Sequence, residues 1–100
     1  MDPQRIYDVV RVSTGNSYGF ETRVPRILDG DFEPGGSVDI SYKDQELETA
    51  FAKQLGVPIF LANISQQIFQ MARAAGLNTE DHTAIIKVLE QMAGVEVRAQ

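Results

Sequence analysis

The sequence has no cysteine and a single histidine. Without cysteine there can be no disulfide, no thiolate nucleophile and no zinc–thiolate site. That suits a reducing cytoplasm, the expected location. Basic residues are also few: nine lysines and arginines stand against fourteen acids, a net charge of -5. An acidic chain gains nothing from counterion release on a phosphate backbone, so nucleic acid is not an expected partner. An anionic membrane surface is disfavoured for the same reason. No apolar run approaches the roughly 20 residues of a spanning helix, and Met1 to Arg5 has no signal-peptide character. Neither a phosphate-gripping glycine loop nor a dinucleotide fingerprint occurs. Asp29, Asp31 and Glu33 alternate like the start of a calcium loop, but Pro34 stands where that loop needs glycine and Ile40 where it needs glutamate. No metal site is therefore expected. His82 reads as an exposed polar residue near a helix cap, and no Ser–His–Asp arrangement can be built on it.

What remains is helical. Asp2-Pro3 is an N-cap followed by proline at the first helical position, and Ile6, Val9 and Val10 then share a face. Asn16 or Ser17 can cap a second helix bearing Tyr18 and Phe20, which Pro25 should end or kink. Asp29 to Gly36 has turn residues and no periodicity, so it reads as a loop. From Ser37 to Leu55 the apolar positions Ile40, Leu47, Phe51 and Leu55 recur at helical spacing. Gly56 stops that helix and Pro58 starts the next, which runs to about Ala75. Its start (Ile59, Phe60, Leu61, Ile64) is apolar around much of the circumference, the pattern of a central helix. Gly76 ends it. Thr79 is expected to cap a last helix with Ala84, Ile85, Val88, Leu89 and Met92 as its buried stripe, and Gly94 to end it. The expectation is an all-α domain over 1–94, a compact bundle of about five helices, with 95–100 as a tail.

Lys43 is out of place in this pattern. It lies on or beside the apolar stripe of the third helix, three residues after Ile40 and four before Leu47. Either its stem packs at a core edge while the ammonium reaches water, or the helix lines a cleft and the ammonium faces a ligand. Asp44 follows directly, about 100° round the helix, so the two cannot form a face-to-face pair.

Gly30-Asp31-Phe32 before a Pro-Gly loop, then Lys43-Asp44, Gly56-Val57-Pro58, Gly76 and Glu80-Asp81 together resemble the C-terminal domain of the β-hydroxyacid dehydrogenase family, from about Asp2 to Met92. No single motif is specific; their order and spacing are. The resemblance implies a 6-phosphogluconate dehydrogenase C-terminal-domain-like architecture lacking its long first helix. It implies NAD or NADP as cofactor of the parent enzyme, a small hydroxyacid as substrate and an N-terminal Rossmann domain as partner. Lys43 would then be a cofactor contact, with Asp44, Tyr18, Asn16 and Phe32 as substrate contacts.

The resemblance also implies that the general-acid lysine lies outside these residues, so no catalytic residue is assigned and the chain is expected to be inactive alone, with no cofactor bound. Gly35-Gly36-Ser37 departs from the family pattern, which often has a bulky apolar residue soon after the loop proline. A pocket wall is therefore expected to be missing or reshaped. Helices without their usual cover point to a homodimer or swapped oligomer. The alternative is a free-standing helical interaction module.

Overall fold

The computed structural model describes residues 1–99. Five α-helices follow one another: α1 (Pro3–Arg11), α2 (Tyr18–Leu28), α3 (Val38–Leu55), α4 (Phe60–Ala74) and α5 (Ile86–Ala93), with a 3-10 turn at His82–Ile85 leading into α5. Local chemistry explains most boundaries. The Asp2 carboxylate accepts from Gln4 N–H at 3.0 Å, Ser17 Oγ from Phe20 N–H at 3.0 Å, and Ser37 Oγ from Ile40 N–H at 3.2 Å. Gly56 ends α3 at φ 70, a left-handed position that only glycine takes without strain. Two boundaries differ from expectation. α4 begins at Phe60 rather than Pro58. Asp81, not Thr79, caps the last helical segment.

Pro25 neither ends nor breaks α2, which continues to Leu28. Proline has no N–H for the carbonyl four residues back, that of Glu21. The Tyr7 hydroxyl, reaching over from α1, donates to that carbonyl at 3.1 Å. The Tyr7 ring also stacks on Phe20, with centroids 5.5 Å apart. One tyrosine thus joins α1 to α2 and fills the gap the proline opens.

The core is small. Val38, Phe69, Ala72, Ala84 and Val88 are buried together, and Phe32, Tyr42, Leu77 and Ile85 pack around them. α3 and α4 are the main packing partners, and part of their shared seam is polar. Gln66 Nε2 donates to Glu46 Oε2 at 2.8 Å, Thr49 Oγ1 to Gln66 Oε1 at 3.4 Å, and Gln45 Nε2 to Ser65 Oγ at 3.2 Å. The apolar stripe of α3 faces outward: Leu47, Phe51 and Leu55 are 65%, 60% and 62% exposed. The start of α4 is also uncovered, with Phe60, Leu61 and Ile64 all exposed, so this half of α4 is not central within the chain. In α5, Val88 is buried but Leu89 and Met92 are exposed. The radius of gyration, 14.7 Å, exceeds the roughly 13 Å of a tightly packed 100-residue chain.

Residues 95–99 carry no helix, yet they are tied down. The Glu90 carboxylate accepts from Val97 N–H at 2.6 Å and Arg98 Nη1 at 2.8 Å, and Ala99 N–H donates to Leu28 O at 2.8 Å. The last residue of the expected tail, Gln100, lies outside the described residues. Among the described residues no helix is long and apolar enough to cross a membrane.

Candidate functional site

The loop after α2 has no regular structure, yet it is pinned at both ends. Asp81 N–H donates to Phe32 O at 3.0 Å, His82 N–H to Gly36 O at 2.8 Å, and Val38 N–H to Glu80 O at 2.9 Å. The Asp81 side chain, with no exposed surface, lies at the centre of this junction. Its Oδ2 accepts from Thr83 Oγ1 at 2.6 Å and Thr83 N–H at 3.1 Å. Its Oδ1 accepts from Gly35 N–H at 2.9 Å and pairs with Arg26 Nη1 at 3.1 Å. Burial by itself pushes a carboxyl up. The hydrogen bonds from Thr83 and Gly35, with His82 nearby, outweigh it and hold Asp81 well below the usual carboxylate range. A buried charge this well partnered fixes the Pro34-Gly35-Gly36 turn against the last helical segment.

Arg26 continues the network outward, donating to Glu33 O and pairing with Asp31 at 3.6 Å. His82 is not the exposed cap residue its position suggested. It is half-buried, with both ring nitrogens engaged. Nδ1 lies 3.1 Å from Gly36 O and Nε2 accepts from Arg23 Nε at 2.9 Å, so Nδ1 carries the proton that bonds the carbonyl. Arg23 donates a second bond, from Nη1 to Thr22 Oγ1 at 3.0 Å.

These groups surround an open cleft of about 370 Å³ lined by Tyr18, Thr22, Arg23, Gly36, Asp81 and His82, among others. Tyr18, at the N-terminus of α2, is 82% exposed beside it. A second groove, of about 330 Å³, shares Gly35 and Gly36 with the first and extends to Ser37 and Ile40. Lys43 follows Ile40 by one turn of α3. It is exposed and, among the described residues, has no hydrogen-bond or ion-pair partner. Asp44 is exposed and likewise has no partner among the described residues. Asn16 is half-buried; its Nδ2 donates to Glu21 Oε2 at 3.4 Å, while its Oδ1 is buried without a partner. Phe32 lies apart from the Tyr18 cleft. It packs on the core with Lys87 Nζ 4.4 Å and Arg98 Cζ 5.0 Å from its ring centre. Its contacts are those of a residue that holds the loop down.

Sequence reasoning missed Arg23 and Arg26, read Asp81 only as part of the Glu80-Asp81 motif, and undervalued His82. Two arginines one turn apart on α2 were a signal. So was Asp81-x-Thr83, where an aspartate can accept from the residue two positions on.

A protein-family model described as NAD-binding of NADP-dependent 3-hydroxyisobutyrate dehydrogenase matches residues 1–89. An L-threonate dehydrogenase of Cupriavidus necator is 43% identical over 88% of this chain and 30% of its own length. A 2-(hydroxymethyl)glutarate dehydrogenase of Eubacterium barkeri is 38% identical over 97% of this chain and 33% of its own. A crystal structure of 3-hydroxyisobutyrate dehydrogenase from Salmonella typhimurium superposes with a TM-score of 0.85 at 40% identity, covering 88% of this chain and 31% of that one. The chain thus spans about a third of the length of the curated relatives it matches. A family match over most of the residues and a shared helical fold at 40% identity agree with the order of motifs from Gly30 to Asp81, and the chain belongs to the β-hydroxyacid dehydrogenase family.

Proposed function

We propose that the chain supplies the cofactor-contacting, substrate-side helical part of an NAD(P)-dependent β-hydroxyacid dehydrogenase. Such an enzyme transfers hydride between a small hydroxyacid and a nicotinamide, and the rest of the enzyme supplies the Rossmann domain and the proton-moving lysine. The observation that carries this reading is Lys43: a cation one turn along α3 from Ile40, which lines the Gly36–Ile40 groove, with no partner among the described residues. An unpaired ammonium suits a phosphate or carboxylate of a bound ligand. The residues fit a contact role and not a cradle, because no glycine-rich phosphate loop is present. When bound, the dinucleotide supplies or accepts the hydride; Lys43 holds it, and Asp44, Tyr18 and Asn16 orient the substrate. Phe32 serves the site by fixing the loop.

Lys43→Ala in the full-length dehydrogenase that carries this chain should raise KM for the dinucleotide on the order of 10-fold, the loss of one charge-assisted bond. Unchanged KM and kcat would return Lys43 to a solvated side chain. The 100-residue chain alone should not reduce NAD(P)+ with any hydroxyacid; measured turnover would sink the division of labour.

The outer apolar faces of α3 and α4 support a further element of the proposal, a homodimer or swapped oligomer formed through them. Light scattering should give a mass above that of one chain. The same exposed faces favour the second reading, a free-standing helical interaction module, which a monomer that captures no second copy and leaves dinucleotide binding unaffected would support.

A further inference from the structure

Among the described residues, Arg23 is the one cation in the Tyr18 cleft whose bonded partners are both neutral. Arg26 is compensated by Asp81 and Asp31. Arg23 forms no ion pair among the described residues; its guanidinium donates only to His82 Nε2 and Thr22 Oγ1. Those two bonds fix the plane of the guanidinium and leave its other N–H donors free. A planar, immobilised, uncompensated guanidinium at the wall of a cleft is suited to bidentate capture of a carboxylate.

Gly36 provides the room. Its φ lies outside the left-handed region, so the backbone does not require glycine there. A Cβ at this position would sit 3.6 Å from His82 Nδ1, an ordinary contact. Neither strain nor crowding accounts for the missing side chain, and because Gly36 lines the same cleft as Arg23 and His82, a large side chain there would narrow it.

Resting on the proposed dehydrogenase reading, we infer that Arg23, oriented by His82 and reached across Gly36, is a subsite for a second carboxylate, so that the substrate is a hydroxyacid carrying two acid groups. His82 is a positioning residue for Arg23: its Nδ1–H is held by Gly36 O, which turns Nε2 to accept from Arg23. The relatives' names are compatible with acids of different shape, one of them a glutarate derivative.

The test compares 2-(hydroxymethyl)glutarate with 3-hydroxyisobutyrate as substrates of the full-length enzyme. The wild type should favour the dicarboxylate. Arg23→Met should lower kcat/KM for the dicarboxylate on the order of 30-fold, chiefly through KM, and change the monocarboxylate less than about 3-fold. Arg23→Lys should recover part of the loss, and Gly36→Phe should reverse the preference by filling the subsite. His82→Phe, which removes the acceptor but keeps the bulk, should give an intermediate KM effect on the dicarboxylate alone. A wild-type preference for the monocarboxylate, equal losses on both substrates, or no change on either would overturn the subsite. Absence of turnover with every hydroxyacid would instead overturn the dehydrogenase reading on which it rests.

Discussion

Around Asp81 the chain buries charge and satisfies it, whereas along α3 and α4 it exposes apolar surface and leaves it bare. Asp81 has no exposed surface and donors on both oxygens, from Thr83, Gly35 and Arg26. Leu47, Phe51, Leu61 and Ile64 are each at least 60% exposed. The two regions follow opposite rules because they answer to different partners. The polar junction is complete within the chain and sets the shape of the loop beside the cleft. The apolar faces are incomplete within the chain. Each such side chain would contribute about 1.5–3 kcal/mol if covered, which is a reason for the fold to seek another surface.

The largest effect is expected at the junction. Asp81→Ala orphans buried donors from Thr83 and Gly35 and should cost on the order of 3 kcal/mol in urea unfolding. A loss near zero would mean that the loop is held by its backbone bonds alone. The same residue carries a pH dependence of known sign. Its folded carboxyl lies below the unfolded value of about 3.9, so the unfolded chain binds more protons between the two. The stabilisation is complete above the unfolded value and is lost as the pH falls through the folded one. Tm should therefore fall as the pH is lowered below about 4, and that of Asp81→Ala should fall less.

The opposite result is expected on the apolar faces. Phe51→Ser with Leu61→Ser should change the stability of the isolated chain by about 0.5 kcal/mol or less per site, since neither side chain is covered. The same pair should shift the light-scattering mass toward a single chain. A large stability loss without a change in mass would erase the contrast between the two regions.

An effect smaller than that at the junction is expected at the helix joint that neither region contains. Tyr7→Phe should cost about 1 kcal/mol through loss of the bond to Glu21 O. In a Pro25→Ala background the cost should fall toward zero, because Ala supplies the N–H that the carbonyl lacks. Additive costs in this double-mutant cycle would refute the compensation.

These contrasts also mark what could be read from the residues. Asp2-Pro3, Ser17, Gly56 and Gly94 announce helix ends because caps are local chemistry. Helical spacing correctly identified the stripe of Leu47, Phe51 and Leu55 as one face, but periodicity reports a face and not what covers it. Pro25 misled because the group that repairs its helix comes from Tyr7, on another element. Thr79 misled because Asp81 acquires its role from a loop more than forty residues earlier. At the site, Lys43 was visible as an exception to its surroundings, whereas Tyr18 came only from the family resemblance. Arg23 was not visible, since an arginine on a polar helix is ordinary until His82 is brought against it from a distant segment.

The joint between α1 and α2 has a dynamic consequence. α1 buries no residue completely, its main packing partner is α2, and one tyrosine provides both its ring stack and its hydrogen bond to that partner. Its nine residues are too few to stay helical in water unaided. Detachment of this segment therefore leaves the Asp81 junction and the core untouched, and its amides should exchange with solvent through a local opening well before those of α4.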